Sequence, residues 1–183
     1  MPQFNEYSNL VQVAVRNPEN AFVSQEKLAQ EWLPLRFHAM PDFKKSNAEF
    51  ALFRQFLAAS GAEVIDLPAH ENLTIDSIYP RDNVLVSPKG LILCNMGRAS
   101  RTPEAAVNVA VYEALGYSIA GQITAPGTLE GGDFIWIDEQ HAAVGLGPRT
   151  NKEGIRQLQA ILGDEVDLHV VVLPDPEHPD DVL

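Results

Sequence analysis

The chain has 183 residues, 45% of them hydrophobic, and a formal net charge of -12. That length and apolar share predict an ordinary buried core, and the acidic balance excludes a nucleic-acid partner, which needs a basic patch to neutralise phosphates. One cysteine, Cys94, excludes an intrachain disulfide framework. No apolar run reaches the roughly twenty residues of a membrane span and no secretory leader opens the chain, so a soluble cytoplasmic protein is expected, with no membrane partner.

In chain order, Leu10 to Val15 reads as a strand stopped by Asn17-Pro18. Ser24 caps a predicted helix over Gln25 to Leu33. Ser46 or Asn47 caps a second, reaching about Ala59, with Phe50, Phe53, Phe56 and Leu57 at helical spacing. Gly61 stops it, and Glu63 to Leu67 returns as a strand. A third helix runs from Pro103 to Leu115 with Thr102 as its cap, followed by a strand from Tyr117 to Ile123. A fourth runs from Lys152 to Leu162 and stops at Gly163. Leu168 to Leu173 is a strongly apolar strand, expected to be buried on both faces.

Two stretches repeat one design. Asp82 opens an apolar strand, a polar turn at Ser87-Pro88-Lys89 and a second strand to Cys94, then Gly97 and Arg101-Thr102 lead into a helix. Asp133 opens the same series through Asp138-Glu139-Gln140 to Val144, then Gly147 and Arg149-Thr150-Asn151. A period of about fifty residues marks a modular array. The order strand-strand-helix-strand occurs twice, after a degenerate first copy, and no linker separates the copies. The expectation is one domain over residues 1–183. Val182-Leu183 begins an apolar segment that does not develop, so the chain reads as part of a longer product.

Acids and arginines that recur at matching places can converge on one cavity. Asp76 and Asp82 flank Ser77-Ile78-Tyr79-Pro80-Arg81, and Asp82 stands at a strand mouth, where a carboxylate can hold a guanidinium through paired charge-assisted bonds. Glu130 lies on the Glu130-Gly131-Gly132-Asp133 turn before an apolar strand, placed for cation binding or proton transfer. Turns use such acids routinely, and each motif alone is weak. Arg101 and Arg149 stand beside helix starts, where a cation does not help the helix dipole; clamping a ligand carboxylate is the alternative to surface ion pairs, and Arg98 can replace Arg101 in that task. The five histidines, His38, His70, His141, His169 and His178, show no metal-ligand spacing. Cys94 lies in an apolar strand and reads as an inert thiol.

Taken in order, Asp76 to Asp82 with its hairpin, then Leu129-Glu130-Gly131-Gly132-Asp133, then Arg149-Thr150-Asn151-Lys152-Glu153-Gly154 resemble the guanidino-group modifying enzymes. These are arginine deiminase, dimethylarginine dimethylaminohydrolase and the amidinotransferases. The resemblance spans most of residues 10 to 183. It implies an α/β fold, the five-bladed α/β propeller or pentein built of ββαβ blades, with about three blades present. It implies a small-molecule guanidino substrate, no metal and no organic cofactor. Asp82 then grips the guanidinium and Asp76 is an auxiliary acid. Glu130 holds the other guanidinium nitrogens and assists catalysis, and Arg101 and Arg149 bind the substrate carboxylate. The family's histidine and nucleophilic cysteine fall past Leu183, and neither His178 nor Cys94 matches them.

The implied activity is hydrolysis of the guanidino C–N bond of arginine or an Nω-substituted arginine. An amidinotransferase and a guanidino-binding module without catalysis are the alternatives. Three blades leave an open edge, so the chain by itself is expected to self-associate or to be poorly stable.

Overall fold

The computed structural model describes residues 5–174. His178, the Val182-Leu183 segment and all but the first residue of the expected Pro174 to Asp181 loop lie outside the described residues. The described residues form two compact units, residues 9–80 and residues 5–8 with 81–174.

In the first unit, β1 (Gln12–Val15) pairs in parallel with β2 (Glu63–Asp66). Three helices lie between them in the chain: α1 (Pro18–Ala21), α2 (Gln25–Glu31) and α3 (Phe43–Ala59). Ser24 caps α2 as expected, its side chain accepting from Lys27 N. The one-turn helix α1 was not expected; Asn17-Pro18 starts a helix instead of merely ending the strand, because Asn17 caps it and Pro18 suits its first turn. The cap expected at Ser46 or Asn47 is Asp42, whose carboxylate accepts from Lys45 N at 2.8 Å. A small core gathers Ala21, Phe22, Leu28 and Ile75 with Trp32 and Phe43 against it. The apolar stripe of α3 is outside that core, and Phe56 is 80% exposed.

The second unit holds the two repeats. In the first, β3 (Val84–Ser87) and β4 (Gly90–Leu93) form an antiparallel hairpin; α4 (Glu104–Ala114) follows, and β5 (Ile119–Gln122) returns parallel to β4. In the second, β6 (Phe134–Trp136) and β7 (His141–Leu146) form the hairpin; α5 (Lys152–Leu162) follows, and β8 (Asp167–Val172) returns parallel to β7. Both are ββαβ units, the blade of the pentein propeller. Gly116 (φ +86°) and Gly163 (φ +84°) end α4 and α5 in the left-handed region, as the stop signals predict.

One core joins the two blades: Leu85 and Ile92 of the first pack with Phe134, Trp136, Val144 and Leu158 of the second. Trp136 meets Phe134 of the same strand edge-on at 5.4 Å and donates its indole N–H to Val86 O at 2.9 Å, and that bond links the two sheets. Side by side, the blades also close at Gly97. A Cβ there would lie 2.6 Å from the Arg149 carbonyl oxygen, so the approach requires glycine.

Two expectations in this unit are corrected. Thr102 does not cap α4: a 3-10 turn, Ala99–Arg101, precedes the helix, and the Thr102 hydroxyl donates back to Ala99 O at 3.0 Å. The strand β8 is not buried on both faces. Among the described residues it pairs with β7 alone, as the outer strand of its sheet, and Val170, Val171 and Val172 are exposed.

Candidate functional site

Asp82 and Asp133 occupy matching places, each within a 3-10 turn that leads into the first strand of its blade. They are held differently. The Asp82 carboxylate accepts from Arg101 Nη1 at 2.6 Å. Asp133 accepts from the Thr150 hydroxyl at 2.5 Å. The same Thr150 oxygen accepts from Glu130 N at 3.1 Å, so one buried hydroxyl ties the acid turn to the start of α5.

Arg101 is nearly sealed from solvent. It donates through Nε and Nη2 to both oxygens of Glu104, at 2.7 and 2.9 Å, and through Nη1 to Asp82. Glu104 also accepts from Asn83 Nδ2 at 2.9 Å, and Asn83 accepts from Asn108 at 2.8 Å. Burial works against the Arg101 cation, but bonds to Glu104 and Asp82 and their charges outweigh it and hold the guanidinium more firmly protonated than usual.

Glu130 is buried and accepts from Arg149 Nη1 at 2.9 Å and from Arg98 N at 3.1 Å. Asp82 and this turn are neighbours: a Cβ at Gly132 would lie 3.0 Å from Asp82 Oδ1. Arg81 fixes the turn from the other side. Its guanidinium donates to Gly131 O, to Phe134 O at 2.7 Å, and to both carboxylate oxygens of Glu6 at 3.0 and 2.8 Å.

The electrostatics agree with this convergence. Burial pushes the Asp133 carboxyl above its ordinary value; the Thr150 bond opposes the rise, Glu130 and Asp82 add to it, and Arg149 reduces it. Burial, then the charges of Asp82 and Glu130, push the Cys94 thiol up as well. Cys94 is therefore a poor thiolate, as its place in an apolar strand predicts.

The second unit thus brings Asp82, Arg101, Glu130 and Arg149 to one region. Asp76 is buried on a 3-10 turn, Ile75–Ile78, of the first unit. Asn83, Asn108 and Glu104 belong to the site's framework without having been singled out from sequence, while Arg81, Asp133 and Thr150 stood in the motifs without a stated role. The spacing of Arg101 and Glu104, three apart at a helix start, was the available signal for their pairing. His141 instead meets Asp138 at 2.8 Å and stacks on His169, ring centroids 6.0 Å apart, with both rings half exposed. Among the described residues, no group of three His, Cys, Asp or Glu side chains is arranged to hold a metal ion, and no helix is long and apolar enough to cross a membrane.

Two ββαβ blades sharing a core, with acids at matching strand mouths, define the pentein type of α/β propeller. A family model described as arginine deiminase matches residues 69–180, and the chain belongs to that family. It is 30% identical to the dimethylarginine dimethylaminohydrolase of Pseudomonas aeruginosa over 122 residues, 67% of this chain and 47% of the relative. It is 32% identical to the corresponding enzyme of Streptomyces coelicolor over 118 residues, 64% of this chain and 44% of the relative. The chain thus matches a little under half the length of these curated relatives. Among solved structures, a mutant of the Pseudomonas aeruginosa enzyme complexed with citrulline superposes with a TM-score of 0.76 at 26% identity, covering 94% of this chain and 64% of that one. An amidinotransferase from Microseira wollei shares the fold, with a TM-score of 0.73 at 19% identity, over 98% of this chain and 63% of that one.

Proposed function

We propose that this chain carries the guanidinium-holding acids of a hydrolase that cuts the guanidino C–N bond of arginine or an Nω-substituted arginine. The observation that carries the reading is the convergence of Asp82 with the Glu130–Asp133 turn, each acid held in place by a separate blade. A guanidinium is flat, carries its charge over three nitrogens and suits carboxylates that approach from different directions. Relatives of this chain named as dimethylarginine dimethylaminohydrolases support the substrate class.

In this reading Asp82 and Glu130 grip the two sides of the guanidinium, and Glu130 is also the acid nearest to proton transfer. Arg101, sealed against Glu104, acts by fixing Asp82. Arg149 holds Glu130 and is accessible enough to meet the ligand carboxylate. These acids bind charge that is already present in the ground state, so their work is positioning.

A second reading, guanidino binding without catalysis by this chain, is favoured by one observation: its cysteine, Cys94, is buried with its thiol pushed up, and so does not serve as a nucleophile.

Calorimetry with arginine and Nω,Nω-dimethylarginine tests the site. Binding is expected, with a loss of at least about tenfold in Asp82→Asn. Binding that survives both Asp82→Ala and Glu130→Ala would overturn the assignment. Incubation with the same ligands separates the readings: citrulline with ammonia from arginine, or with dimethylamine from Nω,Nω-dimethylarginine, means hydrolysis, binding without turnover means a holding module, and a new guanidino compound in the presence of an amine acceptor means transfer.

A further inference from the structure

We infer that Glu104 is a positioning residue that sets charge selectivity: by taking up the Arg101 cation, it leaves Asp82 with its negative charge for a cationic ligand. The inference rests on the guanidino reading above and extends it to a residue that does not touch the ligand.

Arg101 is 3% exposed and Glu104 1%, whereas Asp82 keeps 24%. An arginine buried that deeply needs a counter-ion. Two carboxylates reach it, and Glu104 takes two of its three described bonds. Two acids on one guanidinium leave the trio with one net negative charge, and the most accessible member is Asp82. Asn83 holds Glu104 in that role by a hydrogen bond from a neutral amide, and Asn108 in turn holds Asn83; neither adds charge.

Without the Glu104 charge, Arg101 and Asp82 would form a neutral pair, and a cation at Asp82 would be held less strongly. The second blade has no acid at the spacing that Glu104 keeps from Arg101. Arg149 pairs with Glu130, the residue three positions after it is Lys152, and the nearby Glu153 bonds instead with Arg156 at 2.7 and 2.6 Å.

The ordinary alternative is that Glu104 merely secures the start of α4. Two ligands and two variants separate the roles. Arginine and citrulline have nearly the same shape, but citrulline ends in a neutral urea. Glu104→Gln keeps the shape and removes the charge; Glu104→Asp keeps the charge and disturbs the fit. Calorimetry on the whole chain is expected to show Glu104→Gln losing about tenfold or more in arginine affinity while citrulline changes by less than about twofold. Glu104→Asp is expected to retain the preference for arginine over citrulline.

An equal loss for both ligands in Glu104→Gln, no loss for either, or a lost preference in Glu104→Asp would overturn the inference. If Glu104→Gln does not fold, or citrulline binds too weakly to measure, the arginine affinity of Glu104→Asp decides: retention within about threefold supports the charge role, and a loss of about tenfold rejects it. If the unmodified chain does not bind arginine, the guanidino reading itself fails. If it does, these outcomes bear on Glu104 alone.

Discussion

Arg149 Nη1 lies 2.9 Å from Glu130 Oε2, and this pair ties the approach to α5 to the turn before β6. The two partners are unequally buried, with side-chain exposures of 23% for Arg149 and 6% for Glu130. The acid is therefore the member that cannot readily recover its hydration if the pair is broken.

Removing the arginine should cost more than neutralising the acid. Arg149→Met leaves a buried charge without its guanidinium, and a loss of about 2 to 3 kcal/mol is expected after discounting for the exposed end of the pair. Glu130→Gln keeps a hydrogen-bonding group in place and should cost about 1 kcal/mol. Urea denaturation of both variants checks the order; a larger loss in Glu130→Gln would contradict it.

Asn151 works as more than a helix cap. Its Oδ1 accepts from Gly154 N at 2.8 Å and from Thr128 N at 3.1 Å, while its Nδ2 donates to Pro126 O at 2.9 Å. Asn151→Ala removes the cap and the loop tether together, and a loss of about 2 kcal/mol is expected. Asn151→Asp keeps the acceptors but not the donor and should lie between parent and alanine variant in melting temperature.

Asp133 should leave a mark on stability against pH. Its carboxyl is raised in the folded state, chiefly by burial, so the native chain binds that proton more tightly than the unfolded chain. Stability from this group is present below the ordinary carboxyl value of 3.8 and is lost as pH rises through the raised folded value. Asp133→Asn removes the group's titration while keeping an acceptor for Thr150. The variant should be the more stable protein at neutral pH, with its advantage shrinking as the pH is lowered toward 3.8, in paired thermal melts. An advantage that grows on acidification would reverse the assigned sign.

Arg81 has a task that lysine cannot perform. Its planar group reaches two carbonyls of the 131–134 turn and both oxygens of Glu6. A single ammonium lacks that fork. In the proposed site, Arg81→Lys should weaken arginine binding by about threefold to tenfold with a stability loss near 1 kcal/mol. Calorimetry and melting together check this, because a large stability loss with unchanged affinity would make Arg81 purely structural.

The blade pattern was legible because its signals are local. Alternation of apolar residues around Ser87-Pro88-Lys89 and Asp138-Glu139-Gln140 marks both hairpins, and Asn151 and Gly163 bracket α5 within a dozen residues. The start of α3 was misread because Ser46, Asn47 and Asp42 are all capable caps, and only the hydrogen bond to Lys45 N selects among them. The exposure of β8 could not be read from its own residues, since an apolar run is the same string at a sheet's centre and at its rim. The grouping of Asp82 with the Glu130 turn was implied by the family resemblance, but the bonds of Arg101 to Glu104 were not. The three-residue spacing of Arg101 and Glu104 permits that pair, and only side-chain geometry shows the guanidinium lying across the carboxylate.

The tight approach at Gly97 makes the seam between the blades part of each blade's specification. The Arg149 backbone occupies the space that any larger residue would need. A hairpin tip such as Asp138-Glu139-Gln140 can accept insertions or a new terminus without touching this joint. A whole blade cannot be exchanged as a cassette from a distant homologue unless the glycine on one side and the chain path on the other are transplanted together. Lineage change in such a protein should therefore accumulate in the tips, while the residues along the joint drift as matched sets.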